Sequence, residues 1–121
     1  MKKILIVEDD TFLKNLESSK FTREGFEVMP ATTSEDVARL IAQTVPDVVL
    51  LDLVLPGVDG FGILEMLKKN ESTKHVPIIV FSNLSDEKDV IRAKDAGATE
   101  FIVKANYTLD EIAQKIKTIV G

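Results

Sequence analysis

The chain has 121 residues, which fits a single domain that can bury a core without covalent cross-links. It contains no cysteine and a single histidine, His75, which excludes disulfides and thiolate chemistry and disfavours a histidine-based catalytic or metal site. The net charge of −5 argues against non-specific binding of nucleic acid. The apolar runs are too short for a membrane span or a signal peptide, so we expect a cytoplasmic protein.

The chain opens with a strand, a helix and a second strand. Residues 4–7 form a continuous apolar run, which is typical of a strand buried on both faces of a parallel sheet. Residues 11–24 predict the first helix, which Gly25 should end in a left-handed conformation. A short strand at 27–29 has fewer apolar residues, so we expect it to be less buried.

The same alternation continues through the middle of the chain. Ser34 is predicted to cap a second helix whose apolar face extends to Val45 and which Pro46 ends. Residues 48–51 form the next apolar strand, and a turn follows at 55–57. The elements after this turn are a third helix capped by Asp59, a strand at 78–81, and a fourth helix opened by residues 85–87 and ended by Gly97.

Residues 101–103 predict the last strand, and Thr108 and Glu111 are spaced as a capping box for a fifth helix. The apolar stripe of this helix is Leu109, Ile112, Ala113, Ile116 and Val120. Five strands that alternate strictly with five helices predict an α/β fold. The expected architecture is a doubly wound (βα)5 sandwich in one domain, 1–121, with a five-stranded parallel sheet of order 2-1-3-4-5, as in flavodoxin-like proteins.

Polar side chains stand directly after four of the predicted strands. Glu8 and Asp9 follow the first strand, and Asp52, Ser82 and Lys104 follow the third, fourth and fifth. The carboxyl ends of parallel strands share one edge of the sheet, so these side chains should converge there. Crowded carboxylates repel one another, and Mg²⁺ would relieve that repulsion. A hydroxyl and an ammonium could stabilise a phosphoryl group beside them.

Each of these residues also has an ordinary structural interpretation. The acids after the first strand could simply favour the N-terminus of the first helix, and for Asp10 the two interpretations are balanced. Ser82 could be a turn residue, Lys104 a solvated lysine, and Phe101 a core residue. The position of Ser82 and Lys104 beside the strand that delivers Asp52 favours the functional interpretation.

Taken together, these motifs resemble the receiver domain of bacterial two-component response regulators. The matching segments are residues 4–10, 52–60, 77–82 and 96–104, and the resemblance covers residues 3–120. It implies a cytoplasmic phosphoprotein that acts as a phosphorylation-dependent switch in a phosphorelay. Such a protein promotes its own phosphorylation and dephosphorylation and is not an enzyme that turns over an external substrate.

The resemblance also implies roles for single residues. Asp52 would accept the phosphoryl group as an acyl phosphate in a Mg²⁺-dependent reaction. Asp9, Asp52 and the Val54 backbone carbonyl would bind Mg²⁺, and Glu8 would act on it through a water.

On the phosphoryl side, the resemblance implies that Ser82 and Lys104 contact phosphoryl oxygens and that Phe101 changes rotamer when Ser82 moves. The implied partners are a histidine kinase or phosphotransfer protein and a downstream protein or effector domain. The latter would bind the face formed by the fourth helix, fifth strand and fifth helix. Homodimerisation is a further option, whereas direct binding to nucleic acid or membrane is not expected.

Two positions depart from the usual family pattern. Ala105 stands where a proline usually follows a cis peptide bond, so we predict a trans bond between Lys104 and Ala105. Asn83 follows Ser82 where a small residue is usual, and it could narrow access to the phosphoryl group. By resemblance, Val54 and Leu84 border the approach of the hydrolytic water, and their apolar side chains predict a long-lived phosphorylated form.

Three other classes of protein compete with this interpretation. A pseudo-receiver would use the same fold as a phosphorylation-independent protein-binding module. A phosphatase of the haloacid-dehalogenase type needs a second acid where this chain has Val54. A flavodoxin-like flavin binder would present Ser, Thr and Gly to the phosphate after the first strand, whereas residues 8–10 here are acidic.

Overall fold

The computed structural model describes residues 1–55 and 58–121, and at residues 58–59 it describes only the backbone. The strands are β1 (Lys3–Val7), β2 (Glu27–Ala31), β3 (Val48–Leu51), β4 (Val54–Leu55), β5 (Val58–Asp59), β6 (Ile78–Ser82) and β7 (Glu100–Val103). The helices are α1 (Thr11–Arg23), α2 (Ser34–Gln43), α3 (Gly60–Lys69), α4 (Glu87–Asp95) and α5 (Leu109–Val120). A short 3₁₀ turn spans Lys104–Asn106.

Five parallel strands form the central sheet, in the spatial order β2-β1-β3-β6-β7. This is the predicted order 2-1-3-4-5, since β4 and β5 form a separate antiparallel hairpin that adds two strands to the prediction. β1 lies between β2 and β3, with Ile4 opposite both Val28 and Val48. The carboxyl ends of β1 and β3 are therefore adjacent at the point where the winding reverses, which is where such sheets bind ligands.

Apolar side chains cover both faces of this sheet, as continuous apolar strands require. Alternate residues of β1 show the division, because successive side chains of a strand point to opposite faces. Leu5 and Val7 pack in one cluster with residues of α2, α3 and α4. Ile4 and Ile6 pack in a second cluster that includes Phe21 of α1 and residues of α5. The result is the predicted three-layer sandwich.

The boundaries of α2 differ from the prediction at both ends. Thr33, not Ser34, is the N-cap, and its hydroxyl accepts a hydrogen bond from the Asp36 N–H at 3.1 Å. The Asp36 carboxylate accepts in return from the Thr33 N–H at 3.2 Å. This reciprocal pairing places the N-cap one residue before the predicted one, so Ser34 is the first residue of the helix. α2 ends at Gln43, so Val45 lies beyond the helix and is 42% exposed.

Other predicted helix ends are confirmed. Gly25 and Gly97 follow α1 and α4 with φ of +94° and +106°, a conformation that glycine adopts without strain. Thr108 and Glu111 form the predicted capping box of α5. Within the predicted opening of the fourth helix, Asp86 provides the N-cap.

The predicted trans peptide bond between Lys104 and Ala105 is also confirmed, since the described residues contain no cis bond. The predicted turn at 55–57 and the cap at Asp59 involve positions or side chains outside the described part of the chain. Within the described residues, no helix combines the length and the apolar character needed to cross a bilayer.

Candidate functional site

Three carboxylates meet at the carboxyl edge of the sheet. Glu8 and Asp9 follow β1, Asp52 follows β3, and one carboxylate oxygen from each lies within 4.8 Å of those of the other two. The pairing of the two strands explains this arrangement, because Val7 lies opposite Leu51 and the next residues leave the sheet side by side. The Asp52 N–H donates to the Val7 carbonyl at 3.0 Å, which holds the two chain segments together.

Lys104 places an ammonium between two of these carboxylates. Its Nζ lies 2.6 Å from Oε1 of Glu8 and 2.7 Å from Oδ2 of Asp52. The side chains of Lys104, Glu8 and Asp52 are only 13%, 3% and 7% exposed, so water screens these contacts little. The Lys104 Nζ also lies 5.8 Å from the centre of the Phe81 ring, within the range of a cation–π contact.

Burial and charge act in opposite directions on these groups. Burial raises the pKa of Glu8 above its ordinary value, and the hydrogen bond from Lys104 offsets this only in part. Burial also acts to lower the pKa of Lys104, but its hydrogen bonds to Asp52 and Glu8 outweigh that effect and raise the pKa. Lys104 therefore keeps its charge at neutral pH and supplies a permanent positive group in the site.

The acidic cluster opens into a surface cavity of about 340 Å³. The described residues around it are Glu8, Asp9, Asp10, Leu13, Asp52, Val54, Asn83 and Lys104. Its wall thus combines carboxylates, one ammonium, an amide and two apolar side chains. Oxygen ligands beside an open space fit a hard divalent cation that retains several waters, such as Mg²⁺.

The family model for the response regulator receiver domain matches residues 4–117. The chain belongs to the response regulator receiver family. This receiver domain is 30% identical over 120 residues to the DNA-binding dual master transcriptional regulator RpaA of Synechocystis sp., a match that covers 99% of this chain and 49% of RpaA. It spans about half or less of the length of the curated relatives that it matches.

Solved structures agree with this assignment. The non-phosphorylated HemR receiver domain from Leptospira biflexa superimposes with a TM-score of 0.90 and 29% identity, covering 100% of this chain and 95% of that one. The Mn²⁺-bound form of response regulator Rcp1 gives a TM-score of 0.82 and 25% identity, covering 98% and 93%. Receiver domains are signalling modules of two-component systems, and the family binds Mg²⁺ or Mn²⁺ at an acidic pocket.

Asp10 of the receiver domain has the structural role that its position suggested. It is the N-cap of α1, and its carboxylate accepts a hydrogen bond from the Leu13 N–H at 2.9 Å. Its own N–H donates to Oε2 of Glu8 at 3.3 Å. Asp10 therefore fixes the start of α1 beside the cavity, whereas Asp9 belongs to the carboxylate cluster itself.

Ser82 and Phe101 lie near the site but not on its described surface. Ser82 is the last residue of β6, is fully buried, and its hydroxyl accepts from the Leu84 N–H at 3.4 Å. Phe101 of β7 is partly buried and packs against the core cluster that contains α2, α3 and α4. Neither is among the described residues around the cavity, so their roles at a phosphoryl group stay predictions.

α1 carries one further carboxyl group that the sequence motifs did not single out. Glu17 is 1% exposed, and its Oε1 has no hydrogen-bond partner within the described residues. Burial and then the negative charge of Glu8 raise its pKa to about 8. The available sequence signal was a glutamate spaced four residues from both Leu13 and Phe21, which places all three on one helix face.

Proposed function

We propose that this receiver domain is a phosphorylation-dependent switch in which Asp52 accepts a phosphoryl group from a histidine kinase or phosphotransfer protein. The observation that carries the proposal is the contact between the Lys104 ammonium and Oδ2 of Asp52 at the mouth of the acidic cavity. A fixed positive charge next to a reactive carboxylate stabilises the charge of a transferred phosphoryl group. Family membership leads us to propose a cytoplasmic location as well.

Hydrogen bonds hold both oxygens of the Asp52 carboxylate. Oδ1 accepts from the Val54 N–H at 3.0 Å, and Oδ2 accepts from Lys104. In the reaction, one of these oxygens would form a bond to phosphorus while the bond between phosphorus and the donor atom breaks. The result would be an acyl phosphate whose oxygens Lys104 and, after a shift, Ser82 would contact.

Mg²⁺ fits the carboxylate cluster to which Asp52 belongs. Asp9, Asp52 and the Val54 carbonyl would bind it directly, and Glu8 through a water, because Mg²⁺ prefers a few hard oxygen ligands and keeps several waters. When bound, the ion supplies positive charge that offsets the phosphoryl oxygens. Lys104 already neutralises part of the charge of Glu8 and Asp52, so we expect weak Mg²⁺ binding without phosphate.

The output would be a change at the face formed by α4, β7 and α5. Phe101 lies on β7 opposite Val80 of β6, and Ser82 lies opposite Val103 two residues further along the same two strands. A shift of Ser82 could therefore be transmitted to Phe101 along this strand pair. A downstream protein or effector domain would bind this face, and a second copy of the chain is the other option. The length of the matched relatives, which extends well beyond this domain, supports a role in a larger assembly.

The test is the intact mass of the protein after treatment with acetyl phosphate and Mg²⁺. We expect one phosphate adduct on the wild type, none after chelation of Mg²⁺, and none on Asp52→Asn. Asp47→Asn is the matched control, since Asp47 precedes β3 at the opposite edge of the sheet, and it should keep the adduct. An undiminished adduct on Asp52→Asn would move the acceptor elsewhere. A wild type without any adduct would favour a phosphorylation-independent binding module.

A further inference from the structure

The inward row of α1 leads from the acidic cavity into the core. Leu13 borders the cavity, and Phe21, two turns further on, is fully buried in the core cluster between α1, α5 and the sheet. Glu17 lies midway between them on the same helix face. The carboxyl group of Glu17 thus lies one helical turn beyond the cavity wall. It is 1% exposed, and its Oε1 has no hydrogen-bond partner within the described residues.

The charged groups that act on Glu17 come from several elements packed around it. They are Glu8 after β1, Asp10 at the start of α1, Asp52 after β3 and Lys104 after β7. The other cations of α1 near this level are engaged elsewhere. Lys14 donates to the Thr32 hydroxyl, and Lys20 pairs with Glu24 and Asp110. Glu17 is therefore coupled mainly to the groups of the phosphorylation site.

We propose that Glu17 is a positioning residue for the phosphorylation site, which acts through the charges of Glu8, Asp52 and Lys104 and permits phosphoryl uptake best while its own side chain is uncharged. The proposal rests on the function proposed above. A charged Glu17 would add a fourth negative group next to a site that must accept a phosphoryl anion, and it would compete for the ammonium of Lys104. The same charge would strengthen the attraction for a divalent cation.

The coupling must be reciprocal. Burial is the main cause that raises the pKa of Glu17 to about 8, and the charge of Glu8 adds to it, so through this charge the loss of the Glu17 proton must act back on the site. A bound cation should lower this pKa, and a phosphoryl group on Asp52 should raise it. Deprotonation of Glu17 should therefore strengthen cation binding and disfavour the phosphoryl group. A merely structural role of Glu17 would not produce these opposite effects.

Neither His75 nor the N-terminal amine lies at the acidic edge of the sheet. The sequence contains no cysteine, and its single histidine, His75, is exposed in the segment before β6. That segment and the N-terminal amine both lie at the amino ends of strands, across the sheet from the acidic cluster. Glu8 lies within the acidic cluster and its pKa is also raised by burial, so the part of the pH profile that Glu17→Gln removes, and not the whole profile, reports on Glu17.

The experiment compares the wild type with Glu17→Gln, which removes the charge and keeps the shape. Rates of phosphorylation by acetyl phosphate at saturating Mg²⁺ are measured from about pH 6.5 to about pH 9.5, on both sides of the Glu17 pKa. The wild-type rate should fall about tenfold over this interval, as a coupling of about one pKa unit predicts. Glu17→Gln should lose most of this fall. Glu24→Gln, which removes a carboxylate from the far end of α1, should keep the wild-type profile.

A second measurement is independent of phosphorylation. Titration of Mn²⁺ into the unphosphorylated protein should show an affinity that rises over the same pH interval in the wild type and in Glu24→Gln but not in Glu17→Gln. If Glu17→Gln does not fold, Glu17→Met replaces it in both measurements. Equal pH profiles for the wild type and the Glu17 variants would overturn the proposal. A wild type that takes no phosphate at any pH would overturn the proposed function, and the Mn²⁺ titration would still decide whether Glu17 acts on the site.

Discussion

The ammonium of Lys104 lies 2.7 Å from Oδ2 of Asp52, although 52 residues separate them in the chain. The same ammonium also contacts Glu8 at 2.6 Å, so a single cation serves two nearly buried carboxylates. A phosphoryl group on Asp52 would therefore enter a site in which its positive partner is already in place. The same contact makes Lys104 important for stability before any phosphorylation occurs.

Replacing Lys104 with Met should destabilise the metal-free protein by about 3 kcal/mol, because it leaves two buried carboxylates without their cation. Urea denaturation without metal measures this loss, and Mg²⁺ should restore part of it by taking over the role of the ammonium. Lys115→Met is the control, since Lys115 contacts Glu100 at 3.4 Å with both side chains more exposed. It should cost less than about 1 kcal/mol. Equal losses in the two variants would show that the Lys104 contacts contribute little.

Replacing Glu17 with Gln should stabilise the protein at about pH 7, and the gain should depend on pH. The folded pKa of about 8 lies above the ordinary glutamate value of 4.5, so folding favours the protonated form. The free-energy cost that Glu17 adds to folding is therefore absent below the ordinary pKa, grows as pH rises, and is complete above about pH 8. At about pH 7 it amounts to about 3 kcal/mol. Urea denaturation across this pH range, with Glu24→Gln as the control, should show the difference, and a pH-independent difference would contradict it.

The sheet and the members of the acidic cluster could be predicted from the sequence because each depends on local signals. Continuous apolar runs identify the buried strands, and parallel pairing then brings the residues that follow them to one edge, as with Glu8 and Asp52. The ion pair between Lys104 and Glu8 could not be predicted in the same way. It depends on the direction of a long side chain, which only the packed structure determines.

The spacing of Glu17 from Leu13 and Phe21 does not by itself decide its burial, because burial depends on how α1 is rotated against the sheet. Phe12 and Leu16 are 75% and 43% exposed, whereas Glu17 is 1% exposed. Hydrophobicity alone would have turned the two apolar residues inward. The N-cap of α2 is a similar case, since Ser34 and Thr33 are both suitable residues and only the reciprocal bonds with Asp36 decide between them.

Asp9 and Asp10 should respond differently to replacement by Ala. Asp9→Ala should abolish Mg²⁺ binding with little loss of stability, because Asp9 supplies an oxygen to the carboxylate cluster. Asp10→Ala should cost about 1 kcal/mol through the lost helix cap and leave most of the Mg²⁺ affinity intact. Calorimetric titration with Mg²⁺ and thermal unfolding measure the two effects. Equal losses of Mg²⁺ affinity would mean that the ligand assignment is shifted by one residue.

The phosphorylated form should lose its phosphate slowly. Val54 borders the cavity, whereas Leu84 packs against the core cluster and is not among the described residues around the cavity, so its place beside the water stays a prediction. Neither apolar side chain can orient an attacking water. Val54→Asn and Leu84→Glu should each accelerate phosphate release by roughly tenfold, since an amide or carboxylate can hydrogen-bond that water. Val54→Ala controls for the change in size alone. Release from the wild type as fast as from both polar variants would contradict this explanation, and Asn83 would then be the residue to examine.

The most direct test of the proposed switch is to locate the phosphoryl group on the chain. The protein is phosphorylated with acetyl phosphate and Mg²⁺ and then reduced with borohydride, which converts an acyl phosphate on aspartate to homoserine, and the digested peptides are sequenced by mass spectrometry. We predict homoserine at position 52 and no conversion at Asp9 or Asp10, which border the same cavity. Conversion at either of those residues in place of Asp52, or phosphate that is stable to borohydride, would contradict the assignment of Asp52 as the phosphoacceptor.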